Sequence, residues 1–395
     1  MYPKDKFGIY IHFPFCLRKC RYCSFYSEDI RLDRIDNWTH ALCSELILRS
    51  EQLRSNNSKD YTLYIGGGSP NLIGENNLRS ITDTLFSILR REQNLEITVE
   101  INPGSVSPEL LDCFQSVGVT RLSIGCQSFI STELELLGRI HNVRDIWDTI
   151  KAVRNRGFQS INLDLIYGIP NQTLETWRKS LEDAVSADTE HLSLYNLSYD
   201  RGTALYKMKA DGKIHAHKEE TELRMYQIAH NYLNEADYQH YEVSNWAKTG
   251  YSSLHNSLYW GGAPYYGFGP AAHSYDSGHR WWNVSNIDKY IDLLNQEILP
   301  VQHEEELSET ERRVEYLLLG LRTEKGIDTS KFSTVMKLDF DEVYLSLSDI
   351  IGEKETLELC YIEDKFFKLS NKGWFVIDSI IDKILAIVER ISHDN

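Results

Sequence analysis

The sequence predicts an α/β protein, a partial (β/α)6 TIM-like barrel followed by a small α-rich, winged-helix-like C-terminal domain. Three observations carry this. β-rich runs alternate with segments of helical period six times, and each crossover is long enough to feed a parallel strand. Gly and Pro punctuate the strand exits, and beyond residue 303 the chain turns acidic and helical.

Taken in order, the strands are expected at 7–13, 61–65, 97–101, 121–126, 160–166 and 191–197, each a short run rich in β-branched, aromatic or other apolar residues. Between them, 37–54, 78–90, 108–117, 143–156 and 174–187 place apolar residues at helical spacing. The exits are Gly66-Gly67-Gly68-Ser69-Pro70, Asn102-Pro103-Gly104 and Gly168-Ile169-Pro170. In a β/α barrel the chemistry sits at the carboxyl ends of the strands, where these polar and glycine-rich turns fall. A doubly wound open sheet is the competing fold.

The pattern changes after residue 215. One more helix is expected at 218–236, followed by a stretch dense in Tyr, Trp, Gly and His at 238–282. His303-Glu304-Glu305-Glu306 reads as a solvated acidic face, and Ser308 with Glu311 forms a capping box ahead of an apolar helix at 314–321. A hairpin at 361–369 and a terminal helix at 377–391 complete the reading. The domains expected are 1–215, the barrel core; 216–302, an aromatic-rich extension; and 303–395, the α-rich domain.

The 395 residues hold 42 Lys and Arg against 58 Asp and Glu, a formal net charge of -16. Such a surface repels polyphosphate and anionic lipid, so nucleic acid is not an expected partner. No apolar run approaches the roughly 18 residues a membrane span needs, and residues 1–15 lack the basic start and long apolar stretch of a signal peptide. The expectation is a cytoplasmic protein that is not integral to a membrane.

Seven cysteines, an odd number, include three packed into Cys16-Leu-Arg-Lys-Cys20-Arg-Tyr-Cys23. That is not a disulfide framework. Cys43, Cys113, Cys126 and Cys360 are expected to be small buried hydrophobes. The C-x3-C-x2-C cluster offers three thiolates and no local fourth ligand, which suits an iron–sulfur cluster with one open iron; a structural zinc with a distant fourth ligand is the alternative. Arg18, Lys19 and Arg21 among the thiols either lower their pKa values or form an ordinary basic loop.

With Tyr10-Ile-His-Phe-Pro-Phe-Cys16 ahead of it, the cluster resembles the radical S-adenosylmethionine (SAM) superfamily. Further stretches resemble one branch of it, which holds the anaerobic coproporphyrinogen III dehydrogenases and the HemW-type haem chaperones. They are Gly66-Gly67-Gly68-Ser69-Pro70, Glu100-Ile-Asn-Pro103, Gly125-Cys-Gln127-Ser-Phe129, Leu137-Gly-Arg139-Ile-His141 and Asn162-Leu-Asp164-Leu-Ile-Tyr-Gly168. The resemblance implies a [4Fe-4S] cluster on Cys16, Cys20 and Cys23, with SAM chelating the open iron. It also implies a SAM site lined by Tyr10, Gly67, Gly68, Ser69, Glu100, Gln127, Arg139 and Asp164, with Tyr22 beside the cluster. Glycines would let backbone meet the cofactor's ammonium group, Glu100 and Asp164 would accept from ribose hydroxyls or that ammonium, and Arg139 would neutralise a carboxylate. Ser69 stands where the family more often has Thr, and keeps the hydroxyl.

Within the branch, the dehydrogenases carry a further Cys two positions after the third cluster Cys, where this chain has Phe25. They also carry an N-terminal extension over the active site, whereas here the cluster loop begins at residue 16. His255-Asn256-Ser-Leu-Tyr259-Trp260 matches the H-N-x-x-Y-W motif of the HemW-type chaperones. The resemblance therefore implies haem as a further ligand, with His255 as a haem-binding residue and Tyr259 and Trp260 as flat contact surface. His273 and His279 are alternative ligands. The partners implied are haem-accepting proteins, membrane respiratory enzymes among them. The alternative is an oxygen-independent coproporphyrinogen III dehydrogenase or another radical SAM enzyme acting on a porphyrin.

Overall fold

A strand that is apolar on both faces can only sit in a sheet covered on both sides. In the computed structural model of the protein, which describes residues 6–56, 60–92 and 94–394, six such strands run parallel. The first five residues of the stretch weighed above as a targeting signal lie outside the described residues. The strands are β1 (Lys6–Phe13), β2 (Asp60–Gly67), β3 (Ile97–Ile101), β4 (Arg121–Gln127), β5 (Ser160–Tyr167) and β6 (His191–Asn196). They lie side by side in chain order, with none of the reversal that defines a doubly wound sheet. The barrel is partial: the sheet stays open, and its two outermost strands do not pair.

The helices follow the expected positions closely. They are α1 (Leu32–Leu48), α2 (Glu75–Ile88), α3 (Pro108–Val117), α4 (Ser131–Leu137), α5 (Val143–Asn155) and α6 (Leu174–Ser186). The segment read as one helix at 37–54 is α1 followed by a separate six-residue helix, Ser50–Ser55, because the backbone leaves helical geometry at Arg49 (φ -93°, ψ 9°). Seven residues long, α4 was not anticipated; it ends at Gly138 in the left-handed conformation (φ 77°), which glycine adopts without strain.

Beyond α7 (Glu219–Glu235), the aromatic-rich stretch widens the same sheet at both edges. The pair β7 (Gln239–Glu242) and β8 (Asn245–Ala247) extends it beyond β6. On the other side β9 (Tyr265–Phe268) lies parallel to β1 and is followed by β10 (His273–Asp276), β11 (His279–Asn283) and β12 (Val301–Glu306). The acidic run of residues 303–306 is solvated as expected, but as the edge strand β12. Its partner β11 sets Arg280 opposite Glu305 and brings His279 within 3.6 Å of Glu304, and a charged rim discourages further pairing. Between the two widenings comes α8 (Leu254–Trp260), which carries the H-N-x-x-Y-W motif, and after β11 comes α9 (Ile287–Asn295).

One buried carboxylate ties this extension to the core. Glu45, on α1 and without solvent exposure, accepts from Gly269 N (3.0 Å), Asn283 Nδ2 (2.8 Å) and Tyr290 Oη (2.7 Å), and Arg49 lies 3.5 Å away. Burial pushes its pKa up, and these four partners oppose the rise.

The C-terminal domain has its own apolar cluster. It is built from α10 (Glu309–Leu321), α11 (Thr329–Met336), α12 (Phe340–Ile351), α13 (Ile377–Asp394) and a small antiparallel sheet of β13 (Ile327–Asp328), β15 (Phe366–Leu369) and β14 (Cys360–Glu363). A helix, a strand, three successive helices, the last of them Glu353–Leu359, and a two-stranded wing make the winged-helix arrangement expected, and the Ser308–Glu311 capping box is formed. Among the described residues no helix is long and apolar enough to cross a membrane.

Replacing Glu45 with Leu leaves Gly269 N and Tyr290 Oη without their acceptor in the core, whereas Asn283 keeps Gly269 O and Arg49 keeps Gln52. Glu45→Leu is expected to lower stability by about 3 kcal/mol, the order of one or two unsatisfied buried groups, while Glu45→Gln, which keeps an acceptor, costs less. Chemical denaturation checks both, and equal midpoints for wild type and Glu45→Leu would refute the role.

Candidate cofactor site

A cavity of about 480 Å³ opens at the carboxyl ends of the parallel strands. It gathers Cys16, Cys20, Cys23, Tyr22, Gly67, Gly68, Ser69, Glu100, Gln127, Arg139 and Asp164 from six separate stretches of chain. Tyr10 and His255 do not line it. Its mouth carries exposed apolar side chains, Leu17, Phe25, Ile140 and Tyr195.

The three cysteines lie on a loop pinned by hydrogen bonds of its backbone and its basic side chains. Phe15–Cys16 pairs with Glu28–Asp29, and Arg21 N donates to Leu137 O at 3.0 Å. Of the cations among the thiols, Lys19 donates to Phe25 O within the loop, while the two arginines bind the end of α4, Arg18 donating to Gly138 O and Arg139 O and Arg21 to Glu135 O and Leu136 O. A helix carboxyl end with its unpaired carbonyls is a natural seat for them. Burial raises the Cys16 and Cys23 thiol pKa values, while the hydroxyls of Ser27 and Ser69 near Cys16 and the amide of Phe25 near Cys23 oppose it.

Among the described residues no histidine and no fourth cysteine lines this cavity. Among the described residues no three His, Cys, Asp or Glu side chains converge as the ligands of one metal ion would. Three thiols around a shared space suit a multi-iron cluster, whose thiolates bind different irons, better than a single zinc. Arg139 adds a second sign of fit, since its Nε is buried and finds no partner among the described residues. The other cysteines behave as expected: Cys113, Cys126 and Cys360 are buried and Cys43 is half-buried.

The glycine turn has a tighter reason than the sequence suggested. The amide of Gly67 donates to Glu100 Oε2 (3.0 Å), that of Gly68 to Phe13 O (2.7 Å) and that of Ser69 to Phe15 O (2.8 Å), so these amides are occupied within the protein. Gly67 sits at φ +108°, and a Cβ on Gly68 would stand 2.4 Å from Phe15 O. What the glycines admit is the backbone following β1, which carries the cluster loop.

Glu100 is aimed by Tyr64, whose hydroxyl donates to Oε1 at 2.8 Å. Burial, with Asp164 nearby, lifts the Glu100 pKa to about 7, against the hydrogen bonds from Tyr64 and Gly67. Asp164 is raised by burial too, and accepts from Asn162 Nδ2 (2.8 Å) and Ser123 Oγ (3.0 Å). Arg139 spans the strand exits, donating to Asn102 Oδ1 (2.6 Å), Gly125 O (2.9 Å) and Cys20 Sγ (3.2 Å), and Asn102 passes the contact on to Ser69 Oγ (2.9 Å). A bulge in β4 turns Gln127 into the cavity at φ +70°, a strained conformation for a residue with a side chain.

Two residues of this site were not singled out in the sequence. Tyr64 lies two residues before Gly66 on the same strand and therefore on the same face, and Asn102 stands inside the Glu100–Pro103 motif. Two expected residues sit behind the site. Tyr10 donates to His12 Nδ1 (3.0 Å) and its ring stacks 6.1 Å from that of Tyr64. His255 is 1% exposed; one ring nitrogen meets Thr62 Oγ1 (2.7 Å), the other Tyr259 Oη (2.9 Å), and its ring lies 5.1 Å from Tyr64. Burial drops its pKa to about 3. It therefore remains neutral near pH 6.5, where a free histidine would titrate, and neither nitrogen is open to iron in this arrangement. His273 and His279 lie on the edge hairpin, stacked on Trp282 and Trp281.

The Cβ collision makes Gly68→Ala a folding lesion rather than a cofactor lesion. It is expected to lower thermal stability by about 2 kcal/mol or more, as for an overpacked interior, in protein free of iron and SAM. Wild-type stability of the apo variant in a thermal melt would refute this.

Residues 10–184 match the family model of the radical SAM superfamily, and residues 307–376 that of the HemN C-terminal domain. The chain is 35% identical over 346 residues to the heme chaperone HemW of Bacillus subtilis (strain 168), a span of 87% of this chain and 91% of that protein. It is 34% identical over 388 residues to the heme chaperone HemW of Mycobacterium tuberculosis (strain CDC 1551 / Oshkosh), 97% of this chain and 96% of that one. The coproporphyrinogen III oxidase HemN of Escherichia coli, a radical SAM enzyme, shares the fold with a TM-score of 0.81 at 21% identity, covering 97% of this chain and 91% of its own. This chain belongs to the radical SAM superfamily and, within it, to the HemW family.

Proposed function

We propose that the protein is a haem chaperone of radical SAM type, which binds haem in the cytoplasm and passes it to acceptor proteins, membrane haem enzymes among them. The observation that carries this reading is the likeness, over nearly the whole chain, to proteins named heme chaperone HemW. Phe25, in place of the further cysteine of the dehydrogenases, supports it over porphyrinogen oxidation.

In this reading Cys16, Cys20 and Cys23 hold a [4Fe-4S] cluster, and a SAM molecule at its open iron supplies one-electron chemistry when bound. The chain's own residues prepare that place. Glu100 and Asp164 accept from the cofactor's donors, Arg139 presents the unpaired Nε–H, and Gln127 and Ser69 add polar contacts from the neighbouring exits. Tyr22 flanks the cluster, and its buried phenol stays protonated. Tyr10 and His255 act from behind, wedging Tyr64 so that its hydroxyl keeps Glu100 in line.

Glu100 makes cofactor binding dependent on pH. Its carboxyl, titrating at about 7, binds a proton that a cationic or N–H-donating ligand must displace. SAM affinity should therefore fall as pH drops below 7, by at most about tenfold per unit for one proton, and level off above 7. Glu100→Gln should flatten the profile, and a wild-type profile already flat between pH 5.5 and 8 would refute the assignment.

The function is tested by anaerobic reconstitution followed by haem titration. The wild type should hold about four irons per chain, lost on replacing Cys16, Cys20 or Cys23 with Ala. It should also take up haem and form no 5′-deoxyadenosine on coproporphyrinogen III. Turnover of that substrate without haem uptake would overturn the reading in favour of the dehydrogenase.

A further inference from the structure

The interior of a β/α barrel is normally filled by layers of branched apolar side chains. Beneath the cofactor cavity the inward positions are polar instead. Alternation and register set Ser123 of β4, Asn162 of β5 and His191 of β6 side by side, with Asp164 and Ser193 one step nearer the carboxyl ends of the strands. Asp164 and Ser123 line the cavity, and the other three lie buried below it, His191 without solvent exposure.

Asn162 joins the carboxylate to the histidine. Its Nδ2 donates to Asp164 Oδ1 (2.8 Å) and Ser123 Oγ (2.7 Å), while its Oδ1 accepts from Ser193 Oγ (3.1 Å) and faces His191 Nδ1 (2.6 Å). The amide thus uses both hydrogens and both lone pairs, and turning it over would set its carbonyl against the carboxylate. An amide oxygen only accepts, so His191 Nδ1 carries a hydrogen. Burial, with Arg121 nearby, holds the ring's pKa well below the usual range, which leaves it neutral with the lone pair on Nε2. That nitrogen lies 2.8 Å from Tyr241 Oη, which donates to it and accepts in turn from Ser253 N at 3.3 Å.

Tyr241 is anchored from outside the barrel. Ser253, which meets its hydroxyl, caps α8, and its main-chain oxygen accepts from Glu324 N of the C-terminal domain at 3.1 Å. At the other end Asp164 takes Asn162 on Oδ1 and Ser123 on Oδ2 (3.0 Å), so each oxygen keeps a lone pair for the cavity. We infer that His191, braced by Tyr241, is a positioning residue of the cofactor site: through Asn162 it aims the Asp164 carboxylate at the donor groups of SAM. The inference rests on the reading that SAM occupies this cavity, and adds what holds the carboxylate that meets it.

The test is a double-substitution cycle in SAM affinity, measured by equilibrium dialysis on the anaerobically reconstituted full chain. His191→Phe fills the space of the ring without either nitrogen and should weaken binding about tenfold, the order of one lost hydrogen bond to a charged group. In an Asp164→Ala background the same change should cost less than about twofold, because the group it serves is gone. Tyr241→Phe removes a single oxygen and should weaken binding about threefold, again only where Asp164 is present, so the cycle stands even where His191→Phe folds poorly by circular dichroism. Nitrogen NMR of histidine-labelled protein without SAM or cluster should show His191 as the neutral Nδ1–H tautomer. Equal losses in both backgrounds, wild-type affinity in the single variants, or the Nε2–H tautomer would overturn the inference and leave the cofactor reading intact. No SAM binding by wild type would overturn both.

Discussion

The cofactor edge depends on one buried guanidinium. Arg139 joins the exit of β3 through Asn102, the exit of β4 through Gly125 O and the cluster loop through Cys20, while its own carbonyl receives Arg18. Parallel strands place their exits along one edge but do not fix the distances between loops that leave it. A planar group with five donors in a rigid fork does so, and replacing it with lysine would leave two of the three contacts unmade.

The parts of this fold legible in the sequence are those where local pattern and burial agree. Strands such as Ile97–Ile101 and helices such as Pro108–Val117 fall where periodicity puts them, since both faces of each parallel strand are buried and the helices are amphipathic. The widening of the sheet was not legible. β7 to β12 are three to six residues long and rich in His, Trp and Glu, and their pairing is decided by partners distant in the chain, such as Glu45 of α1 reaching Asn283.

The candidate site divides in the same way. Motif spacing brought eleven of the thirteen expected residues to one cavity, because a spacing that ends each strand in a polar turn also fixes which end of the sheet they share. It could not show depth. His255 belongs to a recognisable motif yet is sealed between Thr62 and Tyr259. The two raised glutamates make the same point. Glu45 is enclosed by donors and serves the fold, whereas Glu100 faces a cavity, where a carboxyl poised near neutrality can exchange its proton with a ligand.

The anchoring of the cysteine loop by Arg18 and Arg21 on the end of α4 bears on what keeps it in place. In small metal-dependent domains the ion supplies the folding energy, and chain and metal come together in one event. Here the loop is stapled to a helix by four main-chain acceptors and a backbone hydrogen bond, none of which uses a cysteine sulfur. A loop held in this way keeps its place through contacts other than ligation of its sulfurs, while Leu17 and Phe25 stand exposed at its rim.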